Sequence, residues 1–168
     1  MSALLEEIEG CVPALRRFAR ALTHDADLAD DLVQDSLERA IRKRDLWRPT
    51  GPLRAWLFRI LVNVYRNDLR TRRRIATVLP LYARPSEASV PAAQHARLAL
   101  AETARAMQVL PAEQREALLL VAVEGMSYAE AAAVLGIPSG TLMSRLARGR
   151  AALRRATEEG PPRLRTVK

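Results

Sequence analysis

The chain has 168 residues and a net charge of +8, and only Lys43 and Lys168 among its 27 basic residues are not arginine. That length holds one domain or two small ones, and so cationic a surface favours a polyanionic partner, the planar guanidinium suiting phosphate and guanine alike. A lone cysteine, Cys11, excludes an intramolecular disulfide or a cysteine zinc cluster; no run has the apolar length that crosses a bilayer, and the acidic start MSALLEEIEG is unlike a secretory or transit signal, so a cytoplasmic protein without membrane insertion is expected.

Val12, Leu15, Phe18, Ala19 and Leu22 fall at helical spacing and predict a first helix. From His24 to Glu38 there are six acids and no arginine or lysine, and Ala29, Leu32, Val33, Ser36, Leu37, Ala40 and Ile41 trace one apolar stripe of a second helix whose carboxylates face outward. The loop LWRPTGPLRAW is stiffened by Pro49 and Pro52 and turned at Gly51. Trp47 and Arg48 on it suit stacking against an unpaired base, while Trp47 could equally cap the hydrophobic core; both readings stand.

A third helix follows, with Leu53, Trp56, Leu57, Ile60, Leu61 and Val64 on its core side. Its opposite side presents Asn63, Arg66, Asn67, Arg70 and Arg74, and the segment from Arg54 to Arg74 holds seven arginines against Asp68 alone, ending in Arg72, Arg73 and Arg74. Arginine and asparagine serve base edges as well as phosphates, so this face is read as a DNA contact rather than a solvated surface. The three helices make a lobe over residues 1–76. The segment at 77–95, with three prolines and no helical period, reads as a tether, its Leu79, Leu81 and Tyr82 leaving room for an ordered strap.

Helical pattern resumes near Ala96, breaks before Pro111, and runs from Ala112 to Glu124, where Gly125 stops it. Ser127 with Glu130 is a capping box; Ala129, Ala132, Ala133, Val134 and Leu135 give a small apolar face; and Gly136 supplies a left-handed end. Pro138 cannot prolong that helix, Ser139 is the expected cap of the next, and Leu142, Leu146, Gly149 or Arg150, and Leu153 mark its core side. Thr141, Ser144, Arg145, Arg148 and Arg155 lie on the other. Two helices and a tight turn, the second rich in arginine, form a helix-turn-helix, which sets the start of its second helix against base edges. A four-helix lobe over 96–157 and a basic tail at 158–168 complete an all-α chain of two small domains.

DADLADDLVQDSLERA, LRAWLFRILVNVYRNDLRTRRR and LPAEQREALLLVAVEGMSYAEAAAVLGIPSGTLMSRLARGR, in that order, resemble the extracytoplasmic-function sigma factors, the two-domain promoter-specificity subunits of bacterial RNA polymerase. The resemblance implies that Asp30, Asp31, Gln34, Asp35 and Glu38, flanked by Arg39, meet the clamp of the polymerase's largest subunit, and that the flap of the second subunit is a further partner. It implies that Asn63, Arg66, Asn67, Arg70, Arg73 and Arg74 read and open the minus-ten element, that the loop with Trp47 and Arg48 pockets an extruded base, and that Ser139, Thr141, Ser144, Arg145 and Arg148 read the minus-thirty-five element. It also implies an anti-sigma factor, and neither cofactor nor metal. Met143 stands where the family commonly has lysine, and Leu37 where it often has an aromatic.

Rival readings are weaker. A stand-alone helix-turn-helix regulator leaves the acidic helix unexplained, and a sigma-like decoy for an anti-sigma factor has no need of two basic faces. An enzyme finds no nucleophile and base pairing or phosphate-cradling glycine loop; His24 with Asp25, Asp27, Asp30 and Asp31 reads as a solvated face rather than a metal cluster, and His95 lies remote in the tether.

Overall fold

A computed structural model describes residues 2–47, 51–78 and 96–158, and among the described residues every regular element is helical. The N-terminal lobe is α1 (Ser2–Thr23), α2 (Ala26–Arg42) and α3 (Leu53–Val78). His24 turns the chain at φ 56°, and the Asp25 carboxylate accepts from the Leu28 N–H at 2.9 Å to cap α2. Pro52 precedes α3, its carbonyl accepting from Trp56 at 3.3 Å.

Leu15, Phe18, Ala19 and Leu22 of α1 meet Ala29, Leu32, Val33 and Ala40 of α2 and Leu53, Leu57, Leu61 and Val64 of α3, all buried. Phe18 and Phe58 pack edge to face with ring centroids 5.1 Å apart. Buried Ser36 is satisfied by donating to the Leu32 carbonyl at 2.6 Å. The expected stripe of α2 stops one residue early: Ala40 is buried, Ile41 is 41% exposed, and the helix ends at Arg42. Phe58, Val62 and Tyr65 are buried although they lie off the expected stripe of α3.

The C-terminal lobe is α4 (Ala96–Val109), α5 (Ala112–Leu118), α6 (Tyr128–Leu135) and α7 (Ser139–Glu158). α5 runs on into a π-helical turn, Leu119–Val123, and Gly125 at φ 67° redirects the chain. Both halves of the Ser127–Glu130 capping box form, and Gly136 closes α6 at φ 65°. The buried face of α6 is Ala131, Ala132, Val134 and Leu135, while Ala129 and Ala133 are exposed, so the expected face is rotated by a fraction of a turn. Ser139 is the first helical residue of α7 rather than its cap; the Pro138 carbonyl already accepts from Leu142 at 3.1 Å. On α7 it is Gly149, not Arg150, that faces inward: a Cβ there would lie 2.7 Å from Leu118 Cδ1, so glycine lets α7 approach α5.

Thr77 and Val78, expected in the tether, end α3; the rest of that segment, 79–95, and the tail beyond Glu158 lie outside the described residues. The lobes themselves touch. α3 packs against α6, and α1 against α5 and the π-helical turn, so that the buried apolar residues of both lobes form one connected cluster.

Candidate nucleic-acid interface

α3 divides its polar residues between solvent and the other lobe. Asn63, Asn67, Arg70, Arg73 and Arg74 are exposed along one side. Arg72 is tied to Asp68 one turn back at 2.7 Å. Arg66, expected with the exposed group, instead points into the lobe junction: Nη2 donates to the Glu116 carboxylate at 2.7 Å, Nε at 3.2 Å, and Nη1 to the Leu135 carbonyl at 3.1 Å. Glu116 is 1% exposed. Burial raises the pKa of its carboxyl, and the hydrogen bonds and charge of Arg66 only partly pull it back.

Further guanidiniums cross the junction. Arg54 lies over the Phe58 ring at 5.4 Å and donates to Glu124, whose side chain is wholly buried and which Arg17 approaches at 3.5 Å. Arg59 donates to the Ala133 carbonyl of α6. Arg115 reaches the Leu22 carbonyl at the end of α1 and the Met107, Gln108 and Leu110 carbonyls around the end of α4, so one side chain satisfies the orphan acceptors of two helices from two lobes. Sequence reasoning missed these residues. The available signal was Glu116 itself, a lone acid beside Ala117 and Leu120 on an otherwise apolar face.

On α7, Ser139, Ser144 and Arg148 are exposed and Thr141 is half-buried; Ser144 Oγ donates back to the Gly140 carbonyl, and Arg148 Nε to that of Ser144. Met143 is also on the surface. Arg145 departs from its neighbours. Its side chain is 15% exposed; guanidinium Nη2 lies 3.2 Å from the Glu113 carboxylate, and Nη1 is buried without a protein acceptor. Arg66 and Arg145, one from each cationic helix, therefore line a single cleft of about 530 Å³ with Arg70, Arg73, Glu113 and Glu116.

The acidic surface is a shallow groove rather than a flat face. Asp31, Gln34, Asp35 and Glu38 line it on the α2 side, with Val64, Tyr65 and Asp68 of α3 opposite, around about 410 Å³. The Tyr65 hydroxyl is buried and donates to the Leu22 carbonyl at 3.5 Å, and burial comes first in raising the phenol's pKa. Arg39 pairs with Asp35 at 3.5 Å, whereas Asp30 lies on the α1 flank near Arg16 and Arg20 and is not brought into the groove. Trp47 is half-buried against the core and also lines a groove of about 590 Å³ with Leu46, Pro52, Trp56 and the α6 residues Ala133 and Val134. Arg48 lies outside the described residues.

Among the described residues no group of three or more histidine, cysteine, aspartate or glutamate side chains is placed to hold a metal, and no helix is long and apolar enough to cross a membrane. His24 is held below its ordinary pKa, first by burial and then by the charge of Arg115.

Residues 8–62 match the family model described as the Sigma2 domain of PhyR, and residues 100–153 match Sigma-70, region 4. The chain is 43% identical over 152 residues to the ECF RNA polymerase sigma factor EcfG of Rhodopseudomonas palustris, covering 90% of this chain and 83% of that protein. It is similar to the sigma factor RpoE of Bartonella quintana, solved with the anti-sigma factor NepR, at TM-score 0.84 and 35% identity over 96% of this chain and all of that one. The fold is also that of the anti-anti-sigma factor PhyR of Bartonella quintana, solved with NepR, at TM-score 0.63 and 18% identity over 90% of this chain and 49% of that one.

Proposed function

The chain belongs to the extracytoplasmic-function sigma factors, which bind core RNA polymerase and direct initiation by recognising the minus-ten and minus-thirty-five promoter elements, and from that membership we propose how its two lobes divide the work. Residues 1–76 form the region that holds polymerase and reads the minus-ten element, 77–95 the connection, 96–157 the region that reads the minus-thirty-five element, and 158–168 a basic tail. The supporting observation is the sign of charge on neighbouring helices: α2 turns carboxylates outward beside an apolar-floored groove, and α3 turns amides and guanidiniums outward on another side.

Asp31, Gln34, Asp35 and Glu38, with Arg39 and Asp30 at the margins, take the polymerase clamp, and the apolar floor between them supplies the area that charge alone does not. Asn63, Asn67, Arg70, Arg73, Arg74 and, once released from Glu116, Arg66 contact the minus-ten element. Trp47 and Arg48 trap an extruded base, offsetting part of the unstacking energy that opening a duplex costs. Ser139, Thr141, Ser144, Arg145 and Arg148 present the minus-thirty-five reader, where short hydroxyls let the helix sit deep in the major groove and the arginines grip guanine or phosphate. The flap of the second polymerase subunit, and an anti-sigma factor such as the NepR bound to the Bartonella relative, are further partners. The protein acts in the cytoplasm and carries no catalytic chemistry of its own.

A sigma-like decoy is the second reading, favoured by the match of residues 8–62 to the PhyR domain. Two basic helices argue for the first, since a decoy that never meets DNA gains nothing from them. Transcription with purified core polymerase and this chain on a fragmented genomic template, with the RNA 5′ ends sequenced, separates the two. We expect start sites that share two spaced elements. A chain that binds core or an anti-sigma factor yet produces no defined starts is a decoy.

A further inference from the structure

Among the described residues, the outward side of α7 carries one large apolar side chain. Successive turns present Gly140, Ser144, Ala147 and Ala151, all exposed and all small. Met143 stands beside that line and is 51% exposed, whereas Leu142 and Leu146 on the inner side are buried. No acidic residue occurs between Ser139 and Arg155, and Arg148 stands on the other flank of the line. We propose that Met143 is a specificity-determining residue of the reading helix, its thioether packing on the C5 methyl of a thymine in the major groove of the minus-thirty-five element. This rests on the assignment of α7 to that element.

Isolated exposed apolar residues are common on protein surfaces, so exposure alone assigns nothing. What assigns Met143 is its place. It opens the second turn of α7, in the N-terminal part of the helix that a helix-turn-helix sets against base edges. The Cα–Cβ bonds of a helix lean toward its N-terminus, so the Met143 side chain extends over the first turn, on the side of Gly140. Gly140 has no side chain to shield it, and the space where a Cβ would stand there is open. The small residues along the same side let the helix come close to the floor of the groove, and Met143 is then the longest apolar probe that reaches it.

The chemistry of the side chain narrows what it can read. A thioether has no donor and is a weak acceptor. The major-groove edges of guanine, cytosine and adenine present hydrogen-bonding groups, which a methionine would cover without satisfying; the thymine C5 methyl is the apolar feature of that code. Three rotatable bonds let methionine fit itself to such a methyl, while Ser144 and Arg148 remain for the polar edges and phosphates. Covering one methyl group is worth about fourfold in affinity, so Met143 adjusts the preference at one base pair and does not set the whole sequence. The same contact favours 5-methylcytosine over cytosine at that position, since both pyrimidines carry the methyl on C5.

The test uses core polymerase with the full chain, on a promoter taken from the mapped RNA starts. Each thymine of the minus-thirty-five element, on either strand, is replaced in turn by deoxyuridine, which deletes the methyl and keeps every hydrogen-bonding group. Fluorescence anisotropy reports duplex affinity for wild type, Met143→Ala and Met143→Leu; the side chain is exposed, so the variants should fold, which circular dichroism checks. We expect one replacement to cost wild type about fourfold, Met143→Ala to bind the thymine and deoxyuridine duplexes equally, and Met143→Leu to keep most of the discrimination. With 5-methylcytosine at that position wild type should bind more tightly than with cytosine, and Met143→Ala should not. Wild-type affinity unmoved by any replacement overturns the inference. A loss that persists undiminished in Met143→Ala overturns it too, and gives the methyl to another side chain such as Thr141. Arg148→Ala separates these failures from that of the underlying reading: weaker binding to every duplex with an intact element keeps α7 on the element even if Met143 fails. A scrambled element that binds as well as the native one removes both.

Discussion

α2 and α3 lie side by side in the N-terminal lobe, and the number of sides each buries separates them more than the sign of their charge. α2 turns Ala29, Leu32, Val33, Ser36 and Ala40 inward and leaves its acids to solvent or to pairs such as Asp35 with Arg39. α3 buries Leu53, Leu57, Leu61 and Val64 against its own lobe, and then Phe58, Val62 and Tyr65 beside them, while Arg59 and Arg66 hydrogen-bond α5 and α6. One helix has an inside and an outside; the other also has a third side that a second lobe covers. A polar residue on α2 therefore keeps the role its position suggests, whereas a polar residue on α3 depends on whether the lobes are closed.

The comparison breaks most sharply in the core. Phe58→Ala removes a fully buried ring that meets Phe18, and should lower unfolding free energy by about 3–5 kcal/mol in a denaturant titration. Ile41→Ala, at the exposed end of the α2 stripe, should stay within about 0.5 kcal/mol. Equal losses would mean that α2 is covered in solution as α3 is.

A smaller effect separates two arginines one turn apart. Arg66→Ala strands Glu116 in the lobe junction, and a loss of about 2 kcal/mol is expected, below that of a fully buried pair because the carboxyl can escape by taking a proton or by lobe opening. Arg70→Ala, on the exposed side, should leave stability unchanged within error and weaken promoter binding with a shallower salt dependence. If Arg70→Ala destabilises as much as Arg66→Ala, α3 does not have the third side described above.

Most of the helical framework was legible in sequence because it is local. Apolar spacing, the Ser127–Glu130 box, Gly125 and Gly136 each act within a few residues, and each appears where expected. Ser139 is a local exception, since α7 begins one residue earlier than its cap pattern suggests; the larger errors arise where a second lobe decides. Nothing within a turn of Arg66 says that Glu116 lies opposite it, and nothing near Arg145 points to Glu113, so periodicity placed both with the exposed arginines. The rotation of α6, which buries Ala131 in place of Ala129 and Ala133, has the same origin: Val134 and Leu135 are buried as expected, but the four alanines are alike, so spacing alone does not say which of them face inward and the packing partners decide. Ile41 shows the converse, an apolar residue continuing a pattern past the point where a partner exists to cover it.

The smallest expected effect tests whether the reading hairpin, unlike α3, is held by contacts that ignore the other lobe. Ser127 Oγ accepts from the Glu130 N–H at 3.2 Å while the Glu130 carboxylate accepts from the Ser127 N–H at 2.9 Å and from its hydroxyl at 2.7 Å. These bonds favour the ionised carboxylate and hold its pKa below the ordinary 4.5. A depressed carboxylate adds stability above its unfolded pKa, and that stability is lost as pH falls through the lower folded value. Ser127→Ala removes the cap together with these bonds, so it should lower stability near neutrality, and the gap from wild type should narrow as the titration is carried below pH 4.5. The capping bonds are local, and the charge of Arg54 across the lobe junction is the least of the influences on that carboxyl, so the gap should be nearly the same in an Arg66→Ala background, which loosens the junction. A gap that vanishes in that background would show that α6 depends on the N-terminal lobe for its start as well as its phase.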